Sequence, residues 1–330
     1  MEFRILGPMQ IHDTETGHRT VPTGAKQRAL LGALVVRAGH VVPADRLIDE
    51  LWGEHPPANA ANALQAHVAR LRRLLPAPTP APTSASASAS ASVSAAGDLH
   101  RPRLVTRPTG YVLHLGAART DARRFGELAA EGHALAPADP ERCARVLRRA
   151  VRLWRGAALE GAGRGALCTA QAALLEENRL LALEALYDAC LATGRHHEIT
   201  AELGALSAAH PLRERLYELL LTALHRCGRR TEALAVYDRA HQRLGQDLGI
   251  EPGPVLHAGR ERILHRPAPH PQPPAPPGLP GPCAPSGDGP AQELRDEIGV
   301  LRGRVDQLAR EQQRLLALLD RLTPNGAATR

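Results

Sequence analysis

Apolar and polar positions alternate in strand fashion over residues 1–22, with turns at Gly7-Pro8 and around Thr16-Gly17. That pattern predicts a short meander. Three helical patterns follow, at about 25–38, 43–51 and 59–75. Pro43 suits the first turn of the second helix, and Gly39 closes the first. In the third, Leu64, Val68, Leu71 and Leu75 recur at i, i+4, i+7 and i+11, which marks the face turned to a core. Residues 77–97, APTPAPTSASASASASVSAAG, lack the bulky apolar side chains that offset ordering entropy, so disorder is expected there. Strand character returns in RLVTRPTGYVLHL (103–115), on both sides of a Pro-Thr-Gly turn, and predicts a hairpin.

From Asp121 to about Leu264 the periodicity is helical, with breaks near Pro137–Pro140, Arg155–Gly165, Gly194, Pro211 and Gly228. Aligning Gly194-Arg195 with Gly228-Arg229, 34 residues apart, brings Glu198 onto Glu232 and Leu186 onto Leu220. A period of about 34 is that of tetratricopeptide helix pairs, which bury their apolar faces by stacking on neighbours. A proline-dominated stretch then predicts an extended spacer. In the last region, Leu294, Leu301, Leu308, Leu315 and Leu322 fall seven residues apart, with Ile298, Val305, Gln312 and Leu319 at the alternate seam positions. That heptad predicts a parallel dimer; the alternative is a lone amphipathic helix packed on its own chain.

Apolar residues make up 43% of the 330, enough for two cores, but aromatics are only 2%, so Leu, Val and Ala must pack them. The net charge of +7 permits a polyanionic partner without requiring one. Five cysteines with no Cys-x-x-Cys pair argue for a reducing cytoplasm and against a disulfide framework or zinc site. No apolar run is long enough to cross a bilayer, so no membrane association is expected. Phosphate-loop, nucleophile-elbow and zincin motifs are all missing, which leaves an enzyme without a candidate constellation and no cofactor to expect. His196-His197 suits a solvated corner better than a metal site.

The helix at 59–75 carries the chemistry. Off its core face lie Asn62, Gln65, His67, Arg70, Arg72 and Arg73, and it contains no acid. A helix shaped only for solubility mixes both signs. An acid-free amphipathic helix closing a three-helix unit suits a major groove, where amides and guanidinium groups reach base edges and further cations meet phosphate.

The order strands, three helices, hairpin, with HVARLRRLL followed by VTRPTGYVL, resembles an OmpR-type winged helix. GAKQRALLGALVVRAGHVVPADRLIDELWGEHPPANAANALQAHVARLRRLL is similar to the DNA-binding module of the Streptomyces antibiotic regulatory protein family. AVRLWRGAAL and GRHHEITAELGALSAAHPLRERLYELLLTALHRCGRRTEALAVYDRAHQRLGQDLGIEPGPVL resemble that family's transcriptional activation domain. The resemblance covers about residues 1–264.

It implies a mainly α chain, with a winged helix-turn-helix at 1–118 and a tetratricopeptide-like activation domain at 119–264; beyond these, the residues themselves predict a Pro-rich linker at 265–290 and a coiled-coil helix at 291–323. The implied function is activation of a secondary-metabolite gene cluster from direct repeats near the −35 element. The implied partners are double-stranded promoter DNA and RNA polymerase holoenzyme through its sigma factor; the heptad, not the resemblance, adds a second copy of the chain as an expected partner. By position, the third helix is the recognition helix, and Arg107, Thr109 and Tyr111 lie on the wing. Tyr111 suits hairpin packing as well as DNA contact. Lys26 is placed to meet the DNA backbone at a helix start. Trp52 suits a plug at the helix 2–3 junction, and Trp52 and Glu54 also lie where such modules can meet polymerase. The competing reading is a protein-interaction scaffold with a non-functional winged helix. The Ala-Ser tract and the heptad tail both depart from the family pattern.

Overall fold

The computed structural model describes residues 1–75, 101–163 and 165–265. The expected Ala-Ser tract at 77–97, most of the linker and the heptad at 291–323 lie outside the described residues. Strands β1 (Glu2–Arg4), β2 (Gln10–His12) and β3 (Arg19–Thr20) form the meander, with Phe3 opposite Ile11. Both of those side chains, with Ile5 and Leu6 just beyond β1, are buried in the core.

Helices α1 (Ala25–Val36), α2 (Ala44–Trp52) and α3 (Ala60–Arg72) follow, close to the expected spans. Pro43 does not occupy the first turn of α2. It precedes the helix and, with Val42, forms the short strand β4, paired to Gly110 and Tyr111. Strand pairing therefore claims the residue whose local preference pointed to the helix. Strands β5 (Arg103–Arg107) and β6 (Gly110–His114) make the hairpin and complete a second sheet in the order β4-β6-β5. Three helices with the hairpin folded against them form the winged-helix arrangement.

The chain then returns to its first sheet. Strand β7 (Arg119–Thr120) pairs parallel with β1, giving the order β3-β2-β1-β7. The boundary expected at 118/119 thus falls just before a strand that belongs to the N-terminal sheet. Helices α4 (Asp121–Leu135), α5 (Pro140–Val151), α6 (Ala166–Ala192), α7 (His196–Ala209), α8 (Glu214–Arg226), α9 (Arg230–Leu248) and α10 (Pro254–His265) complete the described chain. The Thr120 hydroxyl caps α4 by accepting from Arg123 N–H at 3.1 Å, and the Asp139 carboxylate caps α5 by accepting from Arg142 N–H at 2.9 Å.

The 34-residue repeat is visible atom by atom. Gly194 and Gly228 both take left-handed φ, +75° and +77°. In each copy the arginine that follows forks onto the glutamate three residues on, Arg195 to Glu198 at 2.8 and 2.6 Å and Arg229 to Glu232 at 2.7 and 2.6 Å. Leu186 and Leu220 are both buried. The separate helix α10 was not expected; it follows a break at Gly249, which ends α9 in the left-handed region at φ +68°. No described helix is long and apolar enough to cross a membrane.

Candidate nucleic-acid interface

At about 100° per residue, α3 separates its side chains cleanly. Leu64, Val68 and Leu71 are buried, as expected, and Leu75 just beyond joins them. Asn62, Ala66, Ala69 and Arg73 run down the middle of the opposite, exposed face, with Gln65 and Arg70 on its flanks. Ala66 and Ala69 were not singled out from the sequence. They keep the centre of the face low, so the helix axis can approach base edges and thymine methyl groups.

Two residues expected on this face are turned elsewhere. The Arg72 guanidinium reaches the wing, donating from Nε to the Leu104 carbonyl at 3.0 Å and from an Nη to Thr106 Oγ1 at 2.7 Å. It fastens hairpin to helix, which a pure phosphate contact would not do. His67 turns toward Trp52, its ring 6.0 Å from the indole, and is half-buried. Burial first, then the neighbouring charges of Arg70 and Lys26, hold its pKa below the ordinary histidine value. At neutral pH it brings no charge to DNA.

Lys26 also departs from expectation. Its ammonium donates to the Leu51 carbonyl at the C-terminal end of α2 and sits 5.8 Å from the centre of the Trp52 ring. A cation there complements the negative end of the helix dipole. Trp52 is thus half-buried between Lys26 and His67, the plug of the α2–α3 junction. Glu54, two residues on, is exposed.

The wing is held close. A Cβ at Gly110 would overlap the Val42 carbonyl oxygen, so only glycine lets β6 lie flush on β4. Tyr111 is 8% exposed and pairs with Val42 of β4, so its side chain packs in the hairpin. Thr109 is exposed at the turn, and its carbonyl accepts from Ala44 N–H at 3.1 Å. Arg107 is exposed at the tip, and Arg103 is exposed four residues earlier on the same strand face. Both lie near enough to His114 that their charges, after burial, lower its pKa. Arg103 was missed from the sequence, although the period-2 alternation of β5 pairs it with Arg107.

The winged helix is joined to the helical region by buried polar contacts that sequence reasoning also missed. Glu50 of α2, 6% exposed, accepts from Leu167 N–H at 2.8 Å and Cys168 N–H at 2.9 Å. It therefore caps α6 from a distant part of the chain. Asp121, at the start of α4, accepts from Ile5 N–H at 2.8 Å, Leu6 N–H at 3.2 Å and an Arg155 Nη at 3.0 Å. The backbone adds Leu159 N–H to the Ile5 carbonyl at 2.7 Å and Arg155 N–H to the Leu6 carbonyl at 2.8 Å. The winged helix and the helical array thus belong to one compact unit.

Residues 18–85 match the family "Transcriptional regulatory protein, C terminal", and residues 120–264 match the "Bacterial transcriptional activator domain". The transcriptional regulator RedD of Streptomyces coelicolor is 40% identical over 264 residues, 80% of this chain and 70% of that one. The regulatory protein DnrI of Streptomyces peucetius is 34% identical over 269 residues, 80% of this chain and 92% of that one. The structure of Mycobacterium tuberculosis EmbR in complex with a low-affinity phosphopeptide superposes with a TM-score of 0.64 at 34% identity. That match covers 80% of this chain and 64% of EmbR. With this sheet-and-helix order and these relatives, the chain belongs to the Streptomyces antibiotic regulatory protein family of DNA-binding transcriptional activators.

Proposed function

We propose that the chain activates a secondary-metabolite gene cluster by binding direct repeats near the promoter −35 element and recruiting RNA polymerase holoenzyme through its sigma factor. The observation that carries the DNA half is the exposed, acid-free face of α3 (Asn62, Gln65, Arg70 and Arg73 around Ala66 and Ala69) beside the Arg103 and Arg107 face of the wing. Amides and guanidinium groups at this spacing read purine edges, and the wing arginines suit phosphate or a narrow minor groove. The exposed loop after Trp52, with Glu54, is the surface offered to polymerase beside the DNA.

Gel shifts on promoter and scrambled duplexes test the reading. Arg70→Ala or Arg73→Ala lowers the preference for the promoter by about 1–3 kcal/mol where the side chain makes a good base contact. Arg103→Ala and Arg107→Ala weaken both duplexes alike and each lower the salt slope by about one unit. Unchanged affinity in all four variants refutes the assignment and leaves the scaffold reading standing.

The partner copy is proposed on the heptad alone. Leu294 to Leu322, with the polar Gln312 setting register, would pair two chains and raise occupancy of paired sites. Sedimentation of the full chain against one ending near residue 266 decides it, the same association state in both refuting pairing through the heptad.

A further inference from the structure

The exposed face of α3 has an order along the helix axis. Asn62 stands at one end, Ala66 and Ala69 in the middle and Arg73 at the other, and all four are exposed. Arg73 follows the last residue of α3 with helical dihedrals, φ −70° and ψ −18°, so it keeps to the same track. At about 100° per residue the four lie within about 60° around the axis, and one groove meets them together. At about 1.5 Å per residue, Asn62 to Ala66 is about 6 Å, Ala66 to Ala69 about 4.5 Å and Ala69 to Arg73 about 6 Å. Base pairs succeed one another at about 3.4 Å. For a helix lying along the groove, the two alanines therefore stand over neighbouring pairs, with Asn62 and Arg73 each about two pairs further out.

The ends of this row can form hydrogen bonds, and neither end has spent them. Asn62 and Arg73 make no hydrogen bond or ion pair among the described residues, and nor do Gln65 and Arg70 on the flanks. Arg72 and His67, by contrast, are turned to the wing and to Trp52. The middle of the row can form none. An alanine methyl pressed on the edge of guanine, adenine or cytosine strips water from a donor or acceptor and returns no bond. Thymine alone presents an apolar group in the major groove, its C5-methyl, which an alanine methyl can bury. Two alanines set between an amide and a guanidinium group thus discriminate among bases, as well as letting the helix come close.

We propose that Ala66 and Ala69 are specificity-determining residues that seat the methyl groups of thymines on two neighbouring base pairs of each repeat. An adenine lies on the Asn62 side and a guanine on the Arg73 side, the purine edges that those side chains pair with. The proposal rests on the reading of α3 as the DNA-binding helix and adds which bases it selects.

The test begins with the full chain selecting duplexes from a random library. The expected repeat holds two neighbouring T·A pairs and, about two pairs on, a guanine that Arg73→Ala no longer requires. Deoxyuridine in place of those thymines removes only the methyl group. It lowers affinity of the parent chain about fourfold for one thymine and about fifteenfold for both, the ordinary worth of a buried methyl. A duplex with 5-methylcytosine at these positions binds more tightly than one with cytosine, because the methyl returns on a different base. In Ala66→Gly/Ala69→Gly the ratio of thymine to uracil affinity falls to about one. That ratio is read within one protein, so the weaker helix propensity of glycine cancels. Selected repeats without neighbouring T·A pairs overturn the proposal, as does equal affinity of the parent chain for thymine and uracil duplexes. An unchanged ratio in the glycine variant overturns it too, since another side chain would then hold the methyl groups. If the parent chain selects no sequence at all, the assignment of α3 to DNA falls instead, so the two failures are distinguishable.

Discussion

Replacing Glu50 tests the joint between the winged helix and the helical array. Its carboxylate is buried and accepts from Leu167 and Cys168 N–H, two of the donors that the start of α6 cannot satisfy within the helix. A hydrogen bond to a charged acceptor contributes about 1.5–3 kcal/mol, and the desolvation of the carboxylate offsets part of the two. Glu50→Ala also opens a small cavity and leaves two N–H groups facing it. The expected loss is about 3 kcal/mol, well above an ordinary cap at about 1 kcal/mol. Glu50→Gln keeps the shape and one good acceptor but turns an NH2 toward the other N–H, so about half that loss is expected. Urea unfolding of the full chain, followed by circular dichroism and by the fluorescence of Trp52 and Trp154, reads both values. The midpoint should fall with little change of slope. If both variants lie within about 0.5 kcal/mol of the parent, Glu50 is not what holds α2 to α6. A loosened joint should also cost activation more than it costs DNA affinity, measurable in one promoter assay.

Arg72→Ala should lower the stability of the winged helix by about 1 kcal/mol or more, because its two bonds to β5 go, and should weaken DNA binding through the wing. Thermal melts of residues 1–265 against gel shifts check the pairing of the two effects. Lys26→Met should leave DNA affinity and salt slope unchanged while costing about 1 kcal/mol at the end of α2; a smaller salt slope would return Lys26 to the DNA backbone. Gly110→Ala should push the wing off β4 and weaken both folding and binding, since overpacking at a fixed carbonyl costs about 1–3 kcal/mol. His67 should titrate below the ordinary value of 6.5, observable by NMR. Its folded pKa is lowered, so the stability it contributes is present above about 6.5 and is lost as pH falls from there through the folded pKa. A midpoint above 6.5 contradicts the burial argument.

The elements were legible because their signals are local. Leu64, Val68, Leu71 and Leu75 mark the buried side of α3 through 3.6-residue periodicity alone, and the Gly-Arg-x-x-Glu repeat at 194 and 228 shows which helices pair. The Pro-Thr-Gly turn placed the wing. The misread residues were those whose partners are far along the chain. Arg72 looks like a phosphate contact until β5, some 32 residues on, supplies a carbonyl and a hydroxyl. Lys26 looks free until the end of α2 lies beside it. Pro43 follows the rule for a first helical turn, but Gly110 offers it a strand partner.

The sequence by itself determined most of the helices and the wing hairpin, the core face of α3 and the family, since periodicity, turn residues and motif spacing are written in consecutive positions; it did not mark β4, β7 or the separate α10. Only the tertiary structure decided which polar side chains are already bonded within the protein. It committed Arg72, Lys26 and His67 to contacts within the protein and exposed the low Ala66–Ala69 centre of α3. It turned Glu50 into a cap for α6, 117 and 118 residues away. Charge and hydrogen-bonding capacity are properties of a residue, but whether they are already used depends on what the fold brings within about 3 Å.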